Sequence, residues 1–540
     1  MGRQLQKAAN ATPCSKPVVW TIAGSDSGGG AGIQADLATI NDLQCHACTV
    51  ITAVTAQNSV SVDGVYGIDE NTLLAQLNCL LTDLPPDAIK IGLLVNQAQL
   101  NCLARWLGSE FASYQQKVTK KIPVILDPVM VASCGDTLGA VLDYMVLKDV
   151  ITLITPNAKE LEQLSGRELT CAVAFSDAAV QMAVDLKTNV LAKGGDKGGF
   201  WHEKYAKDLF ICRNASHTSF IHQDQRFVLS SPRSNNPNCH GSGCTLSSAV
   251  AAFMAHGYVL HDAILLAKAY VTEGIAHAQQ VGKGAGSLAR MGWPTDLDLF
   301  PAILSGDNRP LLPVDLNFAR LTYALDIYPV VDSVELLETL LLNDATTVQL
   351  RLKIDEHFDD QMLEQQIVEA IALGRRYKAQ VFINDHWQLA LKHGAFGVHL
   401  GQEDLYDADL EQIASKGLAL GISSHGYFEL KLAAQINPSY IAIGHIFATT
   451  TKSMPSLPQG VAKLSRYVKL LSGHFPSVAI GGIDAQTLED ISATGVDACA
   501  VVRAITQAKS PAMAYQFLSR LWMHSSKGSF NHLQEVANGN

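Results

Sequence analysis

Asn238-Cys239-His240-Gly241-Ser242-Gly243-Cys244-Thr245 sets a thiol behind two glycines one residue apart, directly ahead of the small apolar run 246–253. Glycines so spaced allow a tight turn, and the run after them reads as a buried helix closed by Gly257. The amides of Ser242, Gly243 and Cys244 then point out of a helix N-terminus, where partial positive charge favours a phosphate or a developing anion. A cysteine at that place is expected to have a lowered pKa and to serve as a thiolate or proton acceptor. The competing reading is a glycine turn before a core helix, with an inert buried thiol, because short glycine patterns recur by chance.

The elements that would position this turn are short apolar runs with polar ends. Residues 18–23 lead into Gly24-Ser25-Asp26-Ser27-Gly28-Gly29-Gly30-Ala31-Gly32 and then a helical pattern from Ile33. This is strand, glycine loop and helix, with neither a Walker lysine nor dinucleotide-fingerprint spacing. Further strands are expected at 48–55, 88–92, 124–126, 150–154 and 190–193. Interleaved with helical stretches, they imply an α/β fold with a largely parallel sheet, whose ligands gather at the carboxyl ends of strands. Asp127, Asn157, Glu160, Lys193 and the glycine loops stand at those ends.

Six motifs in order carry a family resemblance. Gly24–Gly30, Thr55-Ala56-Gln57-Asn58, Asp127-Pro128-Val129-Met130-Val131, Thr155-Pro156-Asn157 with Glu160, Lys193-Gly194-Gly195 and His240–Cys244 resemble hydroxymethylpyrimidine (phosphate) kinase, over about residues 17–290. That family is a thiamine-pathway branch of the ribokinase-like superfamily. The resemblance implies a central, mostly parallel sheet with helices on both faces. It also implies ATP as co-substrate with Mg²⁺, and phosphorylation first of a hydroxymethyl group and then of the resulting phosphate. By the resemblance Gly24, Asp36 and Gln57 bind the pyrimidine, and Asn157, Glu160 and Lys193 hold ATP and Mg²⁺. The amides of Gly241, Ser242, Gly243 and Cys244 form the anion hole, Cys244 standing where sugar-kinase relatives carry an aspartate base. Ala132-Ser133 departs from the family, which usually has a lysine there.

Residues 293–318, rich in proline, glycine and aspartate, read as a partly docked linker. Beyond it, eight strand-like runs (322–331, 347–352, 379–383, 397–400, 419–422, 440–446, 477–480 and 498–502) alternate with helical stretches. That is the count of a (β/α)8 barrel, with a doubly wound sheet as the competitor. Carboxylates Asp385 and Asp404 among Arg351, Lys353 and Lys452 suit Mg²⁺ and a pyrophosphate.

Gln349-Leu350-Arg351-Leu352-Lys353, Asn384-Asp385, Gly401-Gln402-Glu403-Asp404, Gly421-Ile422-Ser423, Thr449-Thr450-Thr451-Lys452 and Ile480-Gly481-Gly482-Ile483 resemble thiamine-phosphate synthase, a TIM barrel. The resemblance implies joining of a pyrimidine diphosphate to a thiazole phosphate with loss of pyrophosphate. By it Gln349, Arg351, Lys353, Asn384, Ser423 and Lys452 hold the diphosphate, Lys452 also acting in catalysis. Asp385 and Asp404 bind the metal. Thr449, Thr450, Thr451, Gly482, Val502 and Arg503 hold the thiazole phosphate, Arg503 replacing the family's usual serine. The expected organisation is a kinase domain at 17–292, the linker at 293–318, a synthase domain at 319–523 and a tail at 524–540. Alternatives are a kinase fused to an aminothiazole tautomerase-like barrel or to a ligand-sensing barrel.

Composition narrows the classes. The chain has 540 residues, a formal net charge of -11, 48% hydrophobic and 17% charged residues. This suits several soluble domains and small-molecule substrates, and it argues against nucleic acid or an anionic membrane as partner. Eleven scattered cysteines read as reduced thiols in a cytoplasmic protein, the pair Cys45 and Cys48 as strand-entry packing. No apolar run of about 18 residues and no signal-like start are evident. A homo-oligomer is left open.

Overall fold

The computed structural model describes residues 16–130, 141–195, 204–213, 226–352, 359–449 and 457–537, of which 526–537 by backbone alone. The chain divides into two compact units, Met1–Arg309 and Pro310–Asn540.

The first unit is built on one ten-stranded sheet. Its strands are β1 (Val18–Asp26), β2 (His46–Gln57), β3 (Val62–Gly67), β4 (Ala88–Ile91), β5 (Val124–Leu126), β6 (Leu153–Ile154), β7 (Asn189–Gly194), β8 (Tyr205–Ile211), β9 (Arg226–Pro232) and β10 (Ala302–Ser305). They lie in the order β10-β9-β8-β7-β6-β5-β4-β1-β2-β3. β7, β6, β5, β4, β1 and β2 are parallel. β3 at one edge and β8, β9 and β10 at the other pair antiparallel.

Alternation along β1 shows that both faces are covered. Trp20 and Ile22 join a core with Trp106 and Phe111. Thr21 points the other way and donates to Asp36 on helix α1 (Gly32–Asp42). The chain runs from β1 outward to β2 and β3, then returns to β4 on the other side of β1. At such a reversal the crossover loops part and leave a crevice at the carboxyl ends of the strands.

The four antiparallel strands were not among the expected ones. β8 reads Tyr-Ala-Lys-Asp-Leu-Phe-Ile, and its charged pair hides the alternation. Both charges are nonetheless buried: Asp208 accepts from Lys268 at 2.5 Å and from the Gly194 amide at 3.1 Å, and Lys207 Nζ donates to Asn308 Oδ1 at 2.6 Å. β10 lies inside the stretch expected to be a partly docked linker and pairs with β9, so 302–305 belongs to the sheet, while the division between the two units still falls within that stretch.

The second unit is a closed parallel barrel: β11 (Asp326–Val331), β12 (Thr347–Leu350), β13 (Gln380–Asn384), β14 (Gly397–Leu400), β15 (Ala419–Ser424), β16 (Tyr440–Ile443), β17 (Ser477–Ile480) and β18 (Ala498–Val501). β18 pairs back on β11, so the TIM barrel is the fold and the doubly wound competitor falls. Tyr328, Phe382 and Tyr440 meet edge to face inside it. Of the expected tail, residues 524–537 continue the last helix, Pro511–Ala537. No helix among the described residues is long and apolar enough to cross a membrane.

Candidate active sites

In the first unit the site forms where the 14-residue helix α2 (Ser242–Ala255) presents its N-terminus to the carboxyl ends of the parallel strands. Gly241 caps it at φ 76°, and a Cβ there would stand 1.9 Å from the carbonyl oxygen of Gly30. A Cβ on Gly243 would lie 3.1 Å from Lys193 Nζ and 3.6 Å from Asp127 Oδ2. The helix start therefore faces an ion pair, Lys193 Nζ to Asp127 Oδ1 at 2.8 Å, which Thr155 Oγ1 also joins at 3.0 Å. Burial pushes the Asp127 carboxyl up, but the charges of Lys193 and Lys90 outweigh it and hold it below the usual range.

Behind the helix start lies a second, fully enclosed cluster. Asp36 accepts from Lys90 Nζ at 2.8 Å, Thr21 Oγ1 at 2.6 Å and Ser248 Oγ at 2.6 Å, with no solvent exposure. Burial alone would neutralise Lys90, yet the Asp36 charge outweighs it and holds the ammonium well above the ordinary lysine range. Asp36 thus serves as a counter-ion, with both carboxylate oxygens hydrogen-bonded and no exposed surface. Cys244 is corrected in one respect. Its thiol was expected to be lowered, but burial pushes it up to about 11 although the Lys90 charge pulls it down.

The first glycine loop is closed on itself. Amides of Gly28, Gly30 and Ala31 donate to the Asp26 carboxylate at 2.7, 3.0 and 2.8 Å, and His240 Nε2 lies 3.4 Å from it. These amides are closed on an internal carboxylate and offer nothing to a phosphate. Gly24 packs close to Leu93, and Gln57 ends β2 with its backbone tied to Ser27 Oγ. Asn157 and Glu160 form a capping box, Asn157 Oδ1 accepting from the Glu160 amide at 2.9 Å and Glu160 Oε2 from the Asn157 amide at 2.7 Å. Asn157 bridges to Lys193 across β6 and β7, so the three expected ATP and metal residues share one corner.

The barrel's expected residues collect at the carboxyl ends of its strands. Gln349 Nε2 donates to Asn384 Oδ1 at 2.8 Å. Asp385 follows with φ 65°, and Asp404 Oδ2 accepts from the Gly401 amide at 3.0 Å. Asp404 lies close enough to His386 for its charge to oppose the downward pull of burial on that imidazole. Ser423 receives His399 at 2.8 Å, and Gln402 Nε2 donates to its carbonyl at 2.7 Å. Gly481 and Gly482 turn at φ 105° and 67°, where a Cβ on Gly482 would strike Phe447. Thr449 follows β16, and Val502 caps the short turn Arg503–Thr506 after β18. Lys353, Thr450, Thr451 and Lys452 lie outside the described residues, as does Ala132-Ser133.

The comparisons with known proteins fall on these two units. The family model for phosphomethylpyrimidine kinase matches residues 26–289, and that for thiamine monophosphate synthase matches residues 327–505. A thiamine-phosphate synthase from Pectobacterium atrosepticum is 56% identical over 191 residues, 35% of this chain and 88% of the relative. The chain belongs to the thiamine-phosphate synthase family. A synthase from Yersinia pseudotuberculosis serotype O:1b is 58% identical over 192 residues, 36% of this chain and 87% of that protein. A solved phosphomethylpyrimidine kinase from Clostridium difficile 630 is 30% identical, with a TM-score of 0.37, over 48% of this chain and 100% of that one. The protein is an enzyme of thiamine biosynthesis, a phosphomethylpyrimidine kinase fused to a thiamine-phosphate synthase, both transferases.

Several residues of the synthase half escaped the sequence reading. His399 is buried within β14, where burial and the Arg351 charge bring its imidazole down to about 4. His445, lowered by burial and by His425, has a buried Nδ1 that meets no hydrogen-bond partner among the described residues. In the kinase half Lys90 was read as part of a strand and not as a charge beneath the site. A lysine at mid-strand or a histidine two residues before Gly401 was the available signal, but its meaning depends on partners distant in sequence.

Proposed function

We propose that the kinase half uses ATP to phosphorylate 4-amino-5-hydroxymethyl-2-methylpyrimidine and then its monophosphate. The synthase half joins the resulting diphosphate to 4-methyl-5-(2-phosphooxyethyl)thiazole, giving thiamine phosphate and pyrophosphate. The observation that carries this reading is the match of two consecutive families to two units, each with its polar residues at the carboxyl ends of parallel strands.

In the kinase half, phosphoryl transfer depends on positioning and charge neutralisation more than on covalent help. The amides at 242–244 supply fixed dipoles where negative charge develops, and Lys193 supplies a cation held in place by Asp127. Gln57 and Gly24 line the pyrimidine side, and Asn157 and Glu160 the nucleotide side. Cys244 stands in the first turn of the same helix, its thiol pushed up by burial.

In the synthase half, Gln349, Arg351, Lys353, Asn384, Ser423 and Lys452 hold the diphosphate. Thr449–Thr451, Gly482 and Val502–Arg503 hold the thiazole phosphate. The donor set fits Mg²⁺, which keeps water and substrate phosphates and takes one or two carboxylates. Asp385 and Asp404 are such a pair, and among the described residues no group of three or more His, Cys, Asp or Glu side chains could hold a metal ion. When bound, the ion would neutralise charge on the departing pyrophosphate. The substrates are small molecules, the net charge of -11 disfavours nucleic acid and anionic membranes, and the cytoplasm is the proposed location.

A mass-spectrometric end-point assay with ATP, Mg²⁺, hydroxymethylpyrimidine and thiazole phosphate tests the reading. Thiamine phosphate is expected from the wild type, and pyrimidine diphosphate is expected to accumulate in Asp385→Ala. Pyrimidine diphosphate accumulating in the wild type would refute the synthase assignment.

A further inference from the structure

A chain of hydrogen bonds runs through the barrel core and ends on Ser423. Tyr328 Oη lies 2.9 Å from Tyr440 Oη, Tyr440 Oη lies 2.7 Å from His399 Nδ1, and His399 Nε2 lies 2.8 Å from Ser423 Oγ. Tyr328, Tyr440 and His399 are 1%, 0% and 6% exposed, so water does not complete their bonding. Among the described residues Tyr328 Oη meets no polar atom other than Tyr440 Oη.

That dead end sets the direction of the whole chain. A buried O–H with no acceptor loses its hydrogen bond outright, at a cost of about 1–3 kcal/mol, whereas an oxygen that already donates can leave a lone pair unused more cheaply. Tyr328 therefore donates to Tyr440. Tyr440, already accepting, gives its own hydrogen to His399 Nδ1. Nδ1 is then the bare nitrogen of a neutral imidazole, and its hydrogen sits on Nε2. Nε2–H donates to Ser423 Oγ, whose own hydrogen must point away from the core.

The backbone is shaped to admit this path. His399, Gly421 and Tyr440 share one register row across β14, β15 and β16. A Cβ on Gly421 would sit 2.1 Å from Tyr440 Cζ and 2.3 Å from its hydroxyl. The bare glycine lets the Tyr440 ring cross the intervening strand to reach His399, and it explains Gly421 in the motif Gly421-Ile422-Ser423.

We propose that Tyr328, Tyr440 and His399 are positioning residues that make Ser423 a one-way hydrogen-bond donor to an anionic oxygen of the diphosphate substrate. The inference rests on the reading of Ser423 as a diphosphate ligand. A phosphate oxygen carries no hydrogen and fits such a donor. The chain orients and does not supply protons. A proton lost from Ser423 would have to be replaced from Tyr328, leaving a phenolate in a core whose burial holds that phenol well above its ordinary range.

The test uses the full-length protein. Long-range ¹H–¹⁵N spectra of ¹⁵N-histidine-labelled enzyme, with the His399 signals assigned by their loss in His399→Gln, are expected to show the Nε2–H tautomer. A double-mutant cycle is then read as KM for the pyrimidine diphosphate. Tyr440→Phe is expected to raise KM by roughly tenfold, the scale of a hydrogen bond to a charged group. The same change in a Ser423→Ala background is expected to shift it by less than about twofold. Should Tyr440→Phe fold poorly, Tyr328→Phe carries the cycle from the far end. An Nδ1–H tautomer, or equal effects with and without the serine, overturns the proposal. A Ser423→Ala enzyme with unchanged KM refutes the diphosphate reading instead, while the tautomer still decides the direction of the chain.

Discussion

Two buried groups in the kinase half separate chemistry from support. Lys90 and Asp36 have fully buried side chains 2.8 Å apart. Removing one partner strands a buried charge, so Asp36→Ala should destabilise the kinase half by about 3–5 kcal/mol in urea unfolding. A paired Asp36→Leu/Lys90→Met change should recover most of that loss; failure of the single variant to destabilise would contradict the assignment. Cys244 gives a pH prediction. With its pKa raised to about 11, the thiol form dominates below that value and the reactive thiolate grows about tenfold per pH unit on approach. Alkylation of Cys244 should therefore lag behind that of the exposed Cys79, Cys171 and Cys239 at pH 7 and catch up toward pH 11. Modification of Cys244 ahead of Cys239 at pH 7 would restore the activated-thiolate reading.

At the scale of elements, the turn into α2 is held by backbone shape. Gly241 adopts φ 76°, and the space beside its Cα is filled by the carbonyl of Gly30 from the first glycine loop. An alanine there meets both the left-handed penalty, about 1–2 kcal/mol, and the overlap with that carbonyl. Gly241→Ala should cut kinase turnover by roughly tenfold or more and leave thiamine phosphate formation from supplied pyrimidine diphosphate intact. The two glycine loops thus interlock, and only one keeps amides for a ligand, since the other has closed on Asp26. Composition cannot separate them, because both read as glycine, serine and a small helix start.

For the molecule as a whole, the end of the kinase half decides how the chain can be divided. Leu297, Phe300 and Ile303 are 5%, 3% and 0% exposed, and β10 completes an edge of the ten-stranded sheet. A fragment ending at residue 292 loses all three side chains, each worth roughly 1.5–3 kcal/mol of burial. Its midpoint in urea should fall well below that of a fragment ending at Arg309, the end of the first compact unit. Equal midpoints would mean that the stretch is a linker after all.

Local pattern determined much of this protein. Alternating and continuous apolar runs marked the six parallel strands of the sheet and the eight of the barrel, because strands buried on both faces need no partner-specific code. Polar residues directly after those runs marked both sites, since a strand's carboxyl end is where its side chains leave the core. What only the tertiary structure decided is which polar groups are open to a ligand. Asp36 is enclosed by Thr21, Lys90 and Ser248; the Cys244 thiol, expected to be lowered, is pushed up by burial; His399 looked like strand and directs a serine. Desolvation and hydrogen-bond direction depend on every neighbour in space, and those neighbours stand up to 212 positions apart in the chain.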